Sequence, residues 1–513
     1  MLHNHTLGAR AAHAARSSHS IESSETTATT LHDIAMTTSR KSETDSAGVV
    51  QQQISGRNNQ APELPLDTAS SAKEEVARPL GRLQHACLNL SPAFFSLNMG
   101  TGIASILLHN LPYNAAWLRY IGIVIFVLNI ALFALLCVGN IVRYIRWKGI
   151  FDATMQHTLA GMFWGCLPMG MATIVVSIGL DHVRSELIPE YDRFRLCASL
   201  GSQLGALSPR LVVDQRHHVG VHQHRDALHD VSRAPSLLGR ADNRFARQTH
   251  TIESISAALL LPIVSTVVAG ASGGVVASAL SPFDATLARS TVIVSYAVLG
   301  TGIPVAMFLT TLWMYRTAIV GLPAPAALPS LFLPLGPCGQ GAFGLILLGH
   351  VVRDLAYTHN IGFTIAPPTT ASLDSMYRVA DGIYASCLVS GLILWGLGLV
   401  WYTLAMVITL THIARNKVYM APASFSIGWT AYTFPIGVWA TATSQLAKEF
   451  DSTAFKIIAT VVSLQVVFQW AYVFVMAGWK AWKGTIFVAP ELNKWEGGRP
   501  PLRFAKQENT SMV

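Results

Sequence analysis

GMFWGCLPMGMATIVVSIGL, residues Gly161–Leu180, is twenty residues long and carries no charge, yet Gly165, Pro168 and Gly170 interrupt it. A membrane span needs about 20 predominantly apolar residues, so the stretch has the length and polarity to cross a bilayer. Its Gly and Pro residues break a simple helix. Four more stretches share this character: Phe94–Pro112 (FFSLNMGTGIASILLHNLP), Ser254–Gly274, Leu331–Gly349 and Ile427–Gln445 (IGWTAYTFPIGVWATATSQ). Smoother apolar stretches follow at about Tyr120–Val142, Thr291–Met314, Ile383–Thr411 and Phe455–Trp479. In lipid, a broken helix must have its freed backbone groups covered by protein or by water in a cavity. The broken set is therefore predicted to face inward and the smooth set outward, which is how a helical protein builds a pore.

Composition agrees. Of 513 residues, 51% are hydrophobic and only 12% charged, against about 25% charged in a soluble domain. The net charge of +8 is not gathered on one domain, which fits basic cytoplasmic loops and a lipid bilayer better than nucleic acid. Cys87, Cys137, Cys166, Cys197, Cys338 and Cys387 form no CxxC pair, so neither a disulfide framework nor a zinc site is indicated. Residues 1–78, rich in Ser, Thr, His and Ala, read as a disordered tail. His3, His5, His13 and His19 there read as solvated. Residues 79–488 read as the membrane domain and 489–513 as a polar C-terminal tail.

Basic residues mark cytoplasmic loops. Arg143, Arg146 and Lys148 follow the second span, Arg244 and Arg247 precede the Ser254 span, and Lys480 and Lys483 follow the last. One visible span, Gly161–Leu180, separates Arg146 from Arg247, so both cannot be cytoplasmic unless residues 182–248 hold a tenth span. That interval is instead rich in His, with His217, His218, His222, His224 and His229 close together. A metal-binding loop and a solvated loop are two readings. A third is translation out of frame. His and Asp codons (CAY, GAY) shifted by one base become AYN, which encodes Ile, Met or Thr. His217–His229, Asp214, Asp226 and Asp230 would then join an apolar run.

Five motifs resemble one family: NMGTGIAS (Asn98–Ser105), HTLAGMFWGCLPMGMATIV (His157–Val175), HTIESISAALLLPIVSTVVAGASGG (His250–Gly274), LPLGPCGQGAF (Leu333–Phe343) and AYTFPIGVWATATSQLAKEFDS (Ala431–Ser452). They are similar to the tellurite-resistance/dicarboxylate transporter family, which takes in plant slow anion channels and fungal malate and sulfite transporters. The fungal sulfite efflux branch looks most alike. The resemblance implies an all-α integral membrane protein, a ten-helix bundle of five helical hairpins around a central pore, with the fourth helix disrupted in this chain. It implies a plasma-membrane location and a small inorganic or organic anion as cargo. Family members often assemble as trimers, so a homotrimer is an expected assembly. Both termini are expected to be cytoplasmic.

Phe434, before Pro435, matches the aromatic that plugs the pore in the anion-channel branch, so the resemblance implies a gate there. Core packing is its plainer reading. The residues expected to line or kink the pore are Gly100, Thr101, Gly102, Gly165, Pro168, Gly170, Pro262, Pro334, Pro337, Gly341, Pro435 and Gly437. Each Pro removes a backbone donor, whereas Gly336, Gly339 and most of the other glycines have close helix packing as their commoner role. No Lys or Arg occupies the middle of a broken span. Weak contacts from helix dipoles and from Thr101, Thr173, Thr266 and Thr433 suit fast flux. His109, His157 and His350 lie near span ends and read as structural. GASGG at Gly270–Gly274 matches a hydrolase pattern, but that pattern needs a strand–turn–helix context. No metal-protease motif, paired-carboxylate cluster or phosphate loop is present, so no cofactor and no enzyme is expected. Sulfite export, malate or C4-dicarboxylate transport, and an inactive product lacking the fourth helix are the readings in order.

Overall fold

The structure, a computed structural model, describes residues 81–179, 252, 255–363 and 370–495; the His-rich interval 182–248 and the N-terminal tail lie outside them. Among the described residues there is no strand. The helices in chain order are α1 Arg82–Leu88, α2 Phe95–His109, α3 Ala116–Arg146, α4 Ile150–Gln156, α5 Thr158–Met162, α6 Cys166–Gly179, α7 Leu260–Leu280, α8 Ala285–Val320, α9 Leu335–His359, α10 Thr370–Arg415, α11 Phe434–Glu449 and α12 Thr453–Lys483.

The two kinds of stretch separate as their residues require. Three broken spans are mostly buried: 72% of Leu159–Gly179, 89% of Ala257–Leu280 and 89% of Pro325–His359. The smooth spans bury only 28% (Ala116–Arg146), 28% (Ala285–Val320), 17% (Leu373–Arg415) and 28% (Thr453–Lys483). Their exposed residues are lipid-compatible, among them Val124, Leu135, Phe308, Ile393, Val407, Val461 and Phe468. Helices α2, α6, α7, α9 and α11 each pack against the next, and α11 closes the ring on α2. Outside it, α3 lies on α2, α8 on α7, α10 on α9, and α12 on α11 and α2. Four of the hairpins are thus complete within the compact unit Ala77–Val513. Among the described residues α6 has no outer helix that follows it in the chain, and the fourth helix expected from the sequence lies outside the described residues.

Each inner helix enters through a 3-10 turn: Pro92–Phe94, Phe163–Gly165, Ala257–Leu259, Pro325–Phe332 and Ile427–Tyr432. The prolines follow at once. Pro168, Pro262 and Pro337 are the third residues of α6, α7 and α9, Pro334 caps α9, and Pro435 is the second residue of α11. A first-turn amide has no intrahelical acceptor, so proline there costs no hydrogen bond. The break is therefore a change of helix type at one end of the span rather than a kink at its middle. The one mid-helix proline among these described helices, Pro304, lies in the outer helix α8, a place the smooth-stretch reading did not single out.

Residues 490–495, read from the sequence as the start of a polar C-terminal tail, pack against the membrane domain. Pro490–Lys494 form a 3-10 turn in which Glu491 is fully buried and bonded to Arg143 at 2.9 Å. Arg143, also fully buried, donates through Nε to the Leu88 carbonyl (2.9 Å) and through Nη1 to that of Leu90 (3.1 Å). Phe487 stacks on Phe94 at 5.6 Å, and the Trp495 indole donates to the Lys148 carbonyl. A charged residue in a polar stretch reads as solvated, whereas a distant guanidinium draws this one inside.

The ends of the helices sort by charge. One face carries Arg143, Arg146, Arg316, Arg415, Lys417, Lys480 and Lys483 together with the five 3-10 entrances. The other carries three ion pairs, Arg353 with Asp381 (3.0 Å), Lys456 with Asp451 (2.5 Å) and Arg378 with Asp374, together with Arg119, Arg289 and Asp284.

Candidate functional site

A cavity of about 240 Å³ opens where the five 3-10 entrances meet. Every inner helix contributes its first turn: Ser96 and Met99 from α2, Cys166 and Met169 from α6, Leu260 and Val264 from α7, Leu333 and Gly336 from the start of α9, and Phe434 and Pro435 from α11. Among the described residues, no charged residue lines it. Its polar groups are hydroxyls. Thr430 Oγ1 donates to Ser96 Oγ at 2.7 Å, Ser96 Oγ donates to the Ala93 carbonyl, and Ser256 and Ser330 complete the set. A helix amino end carries roughly half a positive charge and favours anions. Five such ends converge on one uncharged cavity, so its potential is positive without a fixed cation.

Phe434 is the first residue of α11 and is 5% exposed in the cavity wall. Glycines set how closely α11 approaches its neighbours. A Cβ on Gly100 would lie 2.6 Å from Thr433 Oγ1, one on Gly437 2.5 Å from Ile103, and one on Gly339 2.5 Å from the Trp439 backbone nitrogen. On the outer side Trp439 stacks between Trp395 (5.4 Å) and Tyr402 (5.1 Å), and its indole donates to the Trp395 carbonyl. The helix that bears Phe434 is thus held from both sides.

A second, smaller cavity of about 30 Å³ lies toward the opposite ends of α2 and α11, beside α9, lined by Ile106, Leu107, Asn110, Phe343, Thr441, Ser444, Gln445 and Lys448. Along α11, Phe434 lines the larger cavity and Thr441 the smaller, and they mark the two ends of the section between the cavities. At 1.5 Å per residue that section is about 10 Å thick. It has an aromatic at each end, Phe434 toward the larger cavity and Phe343 toward the smaller.

The other expected residues are placed as follows. Thr101 accepts from the Trp470 indole at 3.1 Å, on the α12 side. Gly102 and Gly170 give room to a buried polar chain in which Asn98 donates to Asn129 (2.6 Å) and Asn129 to Thr173 (3.2 Å). Gly165 lies against the Leu261 carbonyl, whereas Gly341 faces Ile303 and Leu394 of the outer helices. Thr266 and Thr433 donate to carbonyls of their own segments. His157 accepts from the Ala160 amide as a helix cap, and His350 meets Glu449 at 3.3 Å near the second face. Sequence reasoning missed Ser96, Thr430, Phe343 and Lys448 as lining residues. Lys448, a basic residue in the last turn of α11, carried a readable signal; Ser96, Thr430 and Phe343 did not.

The profile described as voltage-dependent anion channel matches residues 89–477. The chain is 36% identical over 403 residues to the sulfite efflux pump of Trichophyton rubrum, covering 78% of this chain and 93% of that one. It is 24% identical over 402 residues to the sulfite efflux pump of Saccharomyces cerevisiae (72% and 82%). It is also 24% identical over 415 residues to the malic acid transport protein of Schizosaccharomyces pombe (80% and 79%).

Proposed function

Since the chain belongs to the voltage-dependent anion channel family, we propose that it exports sulfite through the axis of the inner ring. The protein is a multi-pass membrane transporter and not an enzyme. One observation carries the anion reading: five helix amino ends meet at a cavity that no charged residue lines among the described residues. Such a site attracts an anion without holding it tightly, and weak holding lets the ion leave. An inside-negative potential adds a driving force of roughly 2.3 kcal/mol per elementary charge per 100 mV for a monovalent anion leaving the cell. No coupled proton is needed for that direction.

Sulfite is favoured by the likeness to sulfite efflux pumps at 36% identity. Malate is the second reading, supported by the 24% likeness to a malic acid transport protein. The basic face reads as cytoplasmic by the positive-inside rule, which puts the larger cavity on the cytoplasmic side of the plasma membrane. The ten-helix, five-hairpin ring and a homotrimeric assembly complete the proposal. So does a fourth helix encoded across codons 182–248 in another frame, for which transcript sequence from Gly179 to Glu253 is the check.

Phe434 closes the pathway in this reading. Reconstituted in liposomes, the wild type is expected to release sulfite faster than malate, and Phe434→Ala to raise sulfite flux several-fold. Equal flux in wild type and Phe434→Ala would reject the gate. Absence of sulfite flux from both, with malate flux retained, would move the assignment to dicarboxylate.

A further inference from the structure

The amino ends of the inner helices draw an anion in, but the same dipoles work against it on the way out. The smaller cavity lies at the carboxyl ends of α2 and α11, where each helix carries roughly half a negative charge, with Phe343 of α9 on its side. Lys448, in the last turn of α11, contributes to its lining. Its neighbour Glu449 is already engaged, accepting from Gln445 Nε2 (2.8 Å) and Tyr384 OH (2.7 Å) and lying 3.3 Å from His350 Nδ1. His350 of α9 and Tyr384 of α10 hold the carboxylate toward those helices, and Gln445 contacts it from within α11. Among the described residues the Lys448 side chain makes no hydrogen bond or ion pair, and the charge that acts on it is that of the neighbouring Glu449, whereas Arg353, Arg378 and Lys456 on the same face each have a carboxylate partner at bonding distance.

We propose that Lys448 forms an anion subsite at the outer mouth of the pathway, with Asn110, Thr441 and Ser444 as its neutral partners. The ligand class is a small inorganic anion that has shed part of its water. The cavity of about 30 Å³ exceeds the roughly 10–15 Å³ that one water requires, and it offers room for little more than a few water-sized groups. The ammonium offsets the helix carboxyl ends, so the transported anion meets positive potential at both mouths and a neutral, aromatic-bounded section between them. The subsite rests on the anion-transport reading and assigns that reading's exit step to one residue.

The test measures anion flux in the full-length protein as a function of substrate concentration for wild type, Lys448→Gln, Lys448→Arg and Lys448→Cys. Loss of one charge about 4 Å from the ion is expected to raise the half-saturation concentration for sulfite roughly fivefold, with Arg restoring it. Lys448→Cys modified after assembly by a cationic methanethiosulfonate is expected to regain the wild-type half-saturation concentration, and the same variant given an anionic reagent is expected to exceed that of Lys448→Gln. Because the charge is added to folded protein, a folding defect in Lys448→Gln does not decide the result. Wild-type flux with no change in any variant overturns the subsite and leaves the transport reading intact. A wild type that moves no anion overturns both.

Discussion

Gly339 shows how narrow the tolerances are for a single residue. A methyl group there would meet the Trp439 backbone, which cannot swing away as a side-chain end can. Overpacking of this kind costs about 1–3 kcal/mol. Gly339→Ala is therefore expected to lower the thermal midpoint in detergent, whereas Gly300→Ala, which has nothing within 4 Å, is expected to leave it unchanged. A Gly339→Ala protein as stable as wild type would contradict the packing of α11 against α9 described above. The same scale sets the limit of what sequence reveals. Phe434 stands out because it precedes Pro435 in a broken stretch. Phe343 and the Ser96–Thr430 pair do not, since apolar and small residues surround each of them and nothing in the pattern says which side of the helix meets the axis. Thr101 and Gly341 point the same lesson the other way: both sit in broken stretches, yet Trp470 takes the hydroxyl of one and outer-helix side chains cover the other.

For the helices, alternation in Gly and Pro content was a sound guide to inside and outside, because the burden of covering a broken backbone falls on neighbouring protein. Where the helices end was less legible. Helix α10 runs for 46 residues, about 69 Å at 1.5 Å per residue, well beyond a hydrocarbon core of about 30 Å. Hydropathy detects only the part within lipid. Proline position mattered more than proline count. The inner prolines occupy first turns, where they cost nothing, but Pro304 interrupts α8 and leaves the Gly300 carbonyl without its usual donor. Pro304→Ala restores that bond and is expected to raise the thermal midpoint, whereas Pro168→Ala, in a first turn, should shift it by less. If the first-turn substitution proved the more consequential, the prolines would have a role beyond starting helices.

At the level of the whole molecule, the ring of five and its four described outer partners follow from the sequence pattern, and the distribution of charge between its faces predicts an orientation. Asp451→Cys, on the face of paired charges, is expected to react with a membrane-impermeant maleimide on intact cells. Asn416→Cys, beside Arg415 and Lys417, is expected to react only after permeabilisation. The reverse pattern would place the larger cavity outside the cell. Such labelling needs a background in which Cys87, Cys137 and Cys197 are replaced by serine, since among the described residues only Cys166, Cys338 and Cys387 are buried. What the sequence could not reveal is the contact between its distant parts. Arg143 and Glu491 are separated by 348 positions, and no local pattern announces their pairing. Glu491→Ala leaves a guanidinium buried without its counter-charge, a change that costs about 3–5 kcal/mol in such settings, so a marked fall in surface expression is expected.

That pairing also has a consequence in time. Ribosomes release Arg143 hundreds of residues before Glu491, so the first hairpin enters the membrane with an unmatched cation at its end. Until the last turn of chain arrives and Phe487 settles on Phe94, the hairpin exposes a signal of incompleteness. A prematurely terminated product would carry that signal permanently and present itself to membrane-protein surveillance as unfinished.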